Sequence, residues 1–163
     1  MRDIFFPKMH FTTGYLHFLV IFSCIAGQIR MDSVKTCYNG WVPYKRSCYF
    51  YSTSRVTFKD AMSACYRIGA ELLELQNAKE EKWFDLQVRI RGYQDQVWLG
   101  ASDIQHEGEF VSVSNGERLH YSHWLRGQPN NSGGREHCAT YWIPRRGMND
   151  SPCNVKYNYV CKK

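Results

Sequence analysis

Between Thr57 and Ile68 the chain places Phe58, Ala61, Met62, Cys65 and Ile68 at three- and four-residue intervals, the apolar stripe of an amphipathic helix. Gly69 supplies its stop. A second helix is predicted over AKEEKWFDLQVRIR, residues 78–91, where Asn77 followed three residues later by Glu80 forms a capping box. Trp83, Leu86 and Ile90 read as its inward side. Elsewhere the pattern is shorter. YKRSCYFY, residues 44–51, has the aromatic enrichment of a strand. Beyond Arg91, brief β-prone runs (QVWLGAS at 96–102, GEFVSV at 108–113, CATYW at 138–142) alternate with turns, and Asn115-Gly116 is a hairpin signal. Two helices followed by a strand-and-loop half predict an α+β chain, without repeats, linkers or low-complexity segments.

The N-terminus modifies this picture. Arg2 and Lys8 precede an apolar stretch from Leu16 to Ile25, and Ala26 and Gly27 are small enough for cleavage, so residues 1–27 are expected to be a signal peptide and residues 28–163 one secreted domain. The apolar stretch falls short of the ~20 residues that a membrane span needs, so no span is expected. The net charge of +6 comes from scattered Lys and Arg, with Arg145 and Arg146 the nearest thing to a cluster, and no nucleic-acid surface is read from it. Of seven cysteines, Cys24 lies in the signal. Cys37, Cys48, Cys65, Cys138, Cys153 and Cys161 remain, and an even number in a secreted chain predicts three disulfides among 15 pairings. No CxxC occurs, and His137 beside Cys138 has no second ligand pair, so the spacings argue against zinc.

Candidate chemistry concentrates in GQPNNSGGREHC, residues 127–138. Calcium takes six to eight oxygens, which extracellular proteins supply from Asp, Glu, Asn and Gln on loops. Gln128, Asn130 and Glu136 offer such oxygens, and MNDSPC, residues 148–153, adds Asn149 and Asp150 on what reads as a second loop. A cis bond before Pro129 would turn both flanking carbonyls toward one point, although trans is the ordinary state of an X-Pro pair. Asn130-Asn131-Ser132 and Asn149-Asp150-Ser151 are also glycosylation sequons, the second weakened by Pro152; a glycan on Asn130 would exclude a metal from that amide.

From about Cys37 to Cys161 the chain resembles the C-type lectin domain family. The resemblance rests on WLGASD at 98–103, GEF at 108–110, HYSHW ending at Trp124, the QPN triplet at 128–130, Glu136 two residues before Cys138, and Asn149-Asp150 ahead of Cys153. Within the family it is most similar to short secreted molluscan lectins of the perlucin type. The resemblance implies the C-type lectin fold, two helices packed on a loop-rich antiparallel β-sheet half, with bridges Cys37–Cys48, Cys65–Cys161 and Cys138–Cys153. It also implies a principal Ca2+ site at Gln128, Asn130, Glu136, Asn149 and Asp150. Asp103 and Glu107 match a second, accessory metal position, but Asn131 and His137 stand where the family often has carboxylates, so only half of that set is present. Met148 stands where the family commonly has Trp, which predicts a less rigid loop.

The function so implied is secreted, calcium-dependent carbohydrate binding. Two neighbouring sugar hydroxyls complete the calcium shell, and Gln128, Asn130, Glu136 and Asn149 hydrogen-bond the same hydroxyls, amides donating outward and carboxylates accepting. In the family Glu-Pro-Asn accompanies mannose-type diols and Gln-Pro-Asp galactose-type ones. Gln-Pro-Asn is neither, so galactose- and mannose-type glycans both stay open. With two carboxylates facing the ion, calcium affinity is expected near about 10⁻⁴ to 10⁻³ M. The alternative is the same fold used for protein contacts or as a biomineral matrix protein without sugar binding. His106, His120, His123 and His137 stand in no nucleophile–base arrangement, so no enzyme is read from them. Trp98, Trp124 and Trp142 are expected in the core. Without a stalk, avidity would have to come from lectin domains associating as a homo-oligomer.

Overall fold

The computed structural model describes residues 36–163; the expected signal peptide at residues 1–27 lies outside them. The order is β1 (Val42–Tyr44), β2 (Ser47–Tyr51), α1 (Phe58–Arg67), β3 (Glu71–Leu72), α2 (Ala78–Ile90), β4 (Gln96–Ser102), β5 (Val111–Ser112), β6 (Cys138–Trp142), β7 (Gly147–Ser151) and β8 (Asn158–Lys162), with one 3-10 turn at Ser132–Gly134. No described helix is long and apolar enough to cross a membrane.

Strand signals were partly misleading. Residues 44–51, expected as one strand, contain a hairpin in which Tyr44 pairs with Ser47 and Lys45 takes φ 52. The helices do not precede the strands. β2, from the start of the domain, pairs with β8 at its end, in the path β1-β2-β8-β4-β6-β7, while β3 pairs with β8 and β5 with β4. Nor is the sheet wholly antiparallel: Val97 and Trp98 of β4 pair in parallel with Asn158 and Tyr159 of β8. A long excursion rather than a turn joins these two strands, so β8 can enter in the same direction. At Gly100 of β4 an added Cβ would lie 2.5 Å from the Leu72 carbonyl oxygen, and Gly100 N–H donates to Leu73 O at 2.7 Å. That close approach is why a residue without a side chain sits mid-strand.

Both helices form where the sequence places them. Thr57 Oγ1 caps α1 by accepting from Asp60 N at 3.3 Å, Phe58, Ala61 and Cys65 face inward, and Gly69 ends the helix with φ 65. Asn77 Oδ1 caps α2 by accepting from the N–H groups of Lys79 and Glu80 at 3.1 and 3.0 Å. The inward face of α2, however, is not the expected one. Leu86 and Ile90 are 54% and 69% exposed. Trp83 is half-buried and stacks on Tyr44 with centroids 4.3 Å apart, while Glu80, Glu81, Phe84 and Val88 are buried. Hydrophobic periodicity misjudges this face because two of its positions are carboxylates with dedicated partners. Glu80 accepts from Tyr49 Oη and Lys162 Nζ, both at 2.6 Å, and from Gln76 N at 2.9 Å. Glu81 accepts from Tyr121 Oη at 2.5 Å and pairs with His123 Nδ1 at 2.8 Å.

The larger part of the core packs α2 against β4, β6 and β8 through Phe84, Val88, Leu99, Tyr141 and Val160. The second part surrounds the fully buried Trp98, which meets Phe58 and Tyr157 edge-on and donates Nε1–H to Val56 O at 2.8 Å. Trp124 and Trp142 are only half-buried; Trp124 packs on Phe110 at 4.6 Å, and the Arg145 guanidinium lies 5.1 Å from the Trp142 ring centre. The bridges are Cys37–Cys48, Cys65–Cys161 and Cys138–Cys153. The second closes a sequence separation of 96 residues, worth about 4–5 kcal/mol in the chain-entropy account. The third joins the first residue of β6 to the segment just beyond β7 and so fixes the two strands beneath the polar loop.

Candidate functional site

The polar loop is seated on β7 before it reaches the QPN triplet. Met148 N–H donates to His123 O at 2.7 Å, Leu125 N–H donates to Met148 O at 2.9 Å, and His123 N–H meets Met148 Sδ at 3.4 Å. A Cβ on Gly147 would fall 2.7 Å from Leu125 Cδ2 and 3.1 Å from His123 O, so any side chain here would have to displace Leu125 and crowd the His123 carbonyl. Met148 is buried and bracketed on both backbone sides. Backbone hydrogen bonds hold the segment whatever side chain stands at position 148. Gly127, with φ 86, turns the chain into Gln128, whose N–H donates to Leu125 O at 2.8 Å, and the Gln128–Pro129 bond is cis.

Asn149 and Asp150 lie on β7, opposite Thr140 and Ala139 of β6, and not on the second loop expected from MNDSPC. Strand placement buries them: Asn149 is 6% exposed and Asp150 is 0%. The second sequon is thereby closed inside the sheet, whereas Asn130 is exposed. Asp150 Oδ2 accepts from the backbone N–H groups of Asn130 and Asn131, at 3.0 and 2.6 Å, so the strand carboxylate holds the loop by its main chain. Ser132 N–H is shared by Asn130 Oδ1 at 3.1 Å and Glu136 Oε2 at 3.0 Å, which brings these two side-chain oxygens together. Two oxygens of the set have no such partner: Gln128 Oε1 and Asp150 Oδ1 are buried and accept no hydrogen bond. Asn149 donates its amide hydrogens inward, to Asp150 O and, at 3.4 Å, to Gln96 Oε1 on β4. Its Oδ1 is left as the atom it can offer, not the outward donor expected of it.

The Lectin C-type domain model matches residues 54–163. A perlucin-like protein of Mytilus galloprovincialis is 31% identical over 146 residues, 88% of this chain and 93% of that protein. CD209 antigen-like protein C of Mus musculus is 32% identical, over 79% of this chain and 70% of that protein. This chain belongs to the C-type lectin domain family. The solved carbohydrate-recognition domain of the mouse scavenger receptor C-type lectin is 26% identical and superposes with a TM-score of 0.72, over 78% of this chain and 98% of that domain. The family is one of carbohydrate-binding lectins, and such proteins are typically binders rather than enzymes.

At the accessory position this lectin domain departs further from an all-oxygen set than its sequence suggests. Asp103, just past β4, is buried; Gly108 N–H donates to its Oδ2 at 2.8 Å, and His137 Nδ1 lies 3.1 Å from its Oδ1. The same His137 nitrogen is 3.3 Å from Glu107 Oε2. Asn131, in a left-handed turn with φ 41, does not serve here, because its Oδ1 accepts Glu136 N–H at 2.9 Å and closes the loop. Asp103 and Glu107, paired in sequence as an accessory metal position, lie beside each other with His137 between them, a neighbour that sequence spacing did not indicate. The Glu81 pair with Tyr121 and His123 was also missed. Its signal was a carboxylate at an inward helical position, visible once Phe84 and Val88 are taken as the buried face.

Proposed function

We propose that the protein is a secreted lectin whose mature domain, residues 28–163, binds carbohydrate through Ca2+ held by Gln128, Asn130, Glu136, Asn149 and Asp150. The observation that carries this reading is the pair of buried, unpaired oxygens, Gln128 Oε1 and Asp150 Oδ1. A buried acceptor without a partner costs about 1–3 kcal/mol, and more when charged, so two of them on facing elements call for a ligand that a protein N–H does not supply. The set is one amide and one carboxylate from each element, plus Asn130, all hard oxygen donors of the kind calcium takes. When bound, the ion supplies coordination positions for two neighbouring hydroxyls of a sugar.

The side chains divide the remaining work. Asp150 is enclosed and reaches no sugar; it fixes the Asn130 and Asn131 backbone. Glu136 is partly open and accepts from a sugar hydroxyl, while the Gln128 and Asn130 amides donate to the hydroxyl oxygens. With Asn149 turned inward, donors outnumber acceptors at the rim, and the site takes galactose- or mannose-type diols without the charge pattern of either family triplet. Secretion is supported by the N-terminal segment and by three disulfides, which persist in oxidising compartments. The test is retention on immobilised mannose and galactose in calcium, with release by chelator. Retention that ignores chelator, or none on either sugar, favours the protein-contact or mineral-matrix use of the fold.

A further inference from the structure

We propose that Asp103, Glu107 and His137 form a site for zinc or a similar borderline divalent ion, in place of the accessory calcium of the family. The three residues offer one ligand atom each, all within 4.8 Å of one another. The histidine nitrogen lies 3.1 Å from Asp103 Oδ1 and 3.3 Å from Glu107 Oε2. In a tetrahedral shell with bonds of about 2.0–2.2 Å, neighbouring ligand atoms are about 3.3–3.6 Å apart, so these separations need to open by only a few tenths of an ångström. Calcium fits poorly. It wants six to eight oxygens at about 2.3–2.6 Å, whereas one of the three ligands here is an imidazole nitrogen and only two are carboxylates.

The group is also held in place. The Asp103 side chain is 1% exposed and anchored by Gly108 N–H on its other oxygen, which fixes the direction of Oδ1 as an outer hydrogen-bond partner does in metal sites. His137 and Glu107 are 33% and 56% exposed, which leaves a side open to solvent. His137 also lines a cleft of about 630 Å³ together with Ile104, Arg135 and Val155. Three protein ligands with an open fourth position is the arrangement of zinc sites that keep an exchangeable ligand.

The experiment uses the purified protein without a polyhistidine tag, in saturating calcium, titrated with Co2+ and then with Zn2+ in competition. One equivalent of cobalt with the visible bands of tetrahedral coordination, displaced by zinc, is expected. His137→Ala should weaken binding at least about 100-fold, beyond the 10–100-fold typical of losing an outer partner, and Glu107→Gln, a change at a half-exposed side chain, should also weaken it strongly. His106→Ala, at an exposed histidine outside the group, should leave it within about two-fold. Absence of saturable binding, or binding unchanged in Glu107→Gln and in folded His137→Ala, overturns the site and leaves His137 as a side-chain strut between two carboxylates.

Discussion

Replacing Asp150 with Asn separates the two jobs assigned to this carboxylate. The parent side chain is 0% exposed, with Oδ2 accepting from two backbone N–H groups and Oδ1 accepting none. Asparagine has the same shape. Turned so that its carbonyl keeps both N–H bonds, it puts an NH2 group where Oδ1 stood. In calcium-free protein, exchanging two charge-assisted bonds for neutral ones costs about 1–3 kcal/mol, and removing a buried, half-satisfied charge returns a similar amount, so the folded variant should lie within about 1 kcal/mol of the parent. Calcium changes the comparison. At about 10 mM Ca2+ and a Kd of about 10⁻⁴ to 10⁻³ M, binding to the native state alone stabilises by about 1.4–2.7 kcal/mol. For a domain of this size that is a rise in Tm of roughly 4–13 °C. Thermal unfolding followed by circular dichroism, in calcium and in chelator, should show that rise for the parent and none for Asp150→Asn. A parent Tm that does not respond to calcium, or equal shifts in both proteins, refutes the assignment.

Two further outcomes are expected. Gln128→Glu adds a third carboxylate where a buried oxygen now lacks a partner, so the calcium concentration needed for sugar retention should fall and retention on mannose should rise; titration on mannose and galactose columns checks both. Stability should fall as pH rises above about 10: burial raises the Tyr49, Tyr51, Tyr93 and Tyr141 hydroxyls, and burial with Glu81 pushes Tyr121 up to about 12. Tyrosines of the unfolded chain ionise near pH 10 while these stay protonated, so the unfolded state binds fewer protons and the stability present below pH 10 is lost up to the native values. Urea midpoints that stay level from about pH 8 to about pH 11 would contradict it.

What could be read in advance followed from how local each signal was. Both helix starts were legible, α1 from its apolar stripe and α2 from a capping pattern within four residues, and the candidate hard donors were picked out because residue type alone defines them. The buried face of α2 was not, since Glu80 and Glu81 sit inward only because Tyr49, Lys162, Tyr121 and His123 arrive from elsewhere in the chain. β7 was hidden for a related reason. Gly147, Asn149 and Asp150 have poor strand propensity, and the segment is a strand because β6 and residues 123–125 pair with it from both sides. The group around His137 depends on side-chain direction, which no spacing rule encodes.

The strand placement of Asn149 and Asp150 has a consequence for how such a site can vary. The oxygens proposed to hold the ion on β7 are buried, and Asp150 also fastens the loop backbone, so a change there leaves the fold intact only if, like Asn, it keeps an acceptor for the Asn130 and Asn131 N–H groups. Gln128 is partly open and Asn130 exposed; their side chains project from a loop whose position is set by main-chain bonds at residues 123, 125, 130 and 131. Residues 128 and 130 can therefore change the pattern of donors and acceptors offered to a sugar while the seat on β7 stays as it is. In the proposed site, changes at residues 128 and 130 leave that seat intact, so a triplet that matches neither mannose-type nor galactose-type usage is compatible with an intact lectin domain.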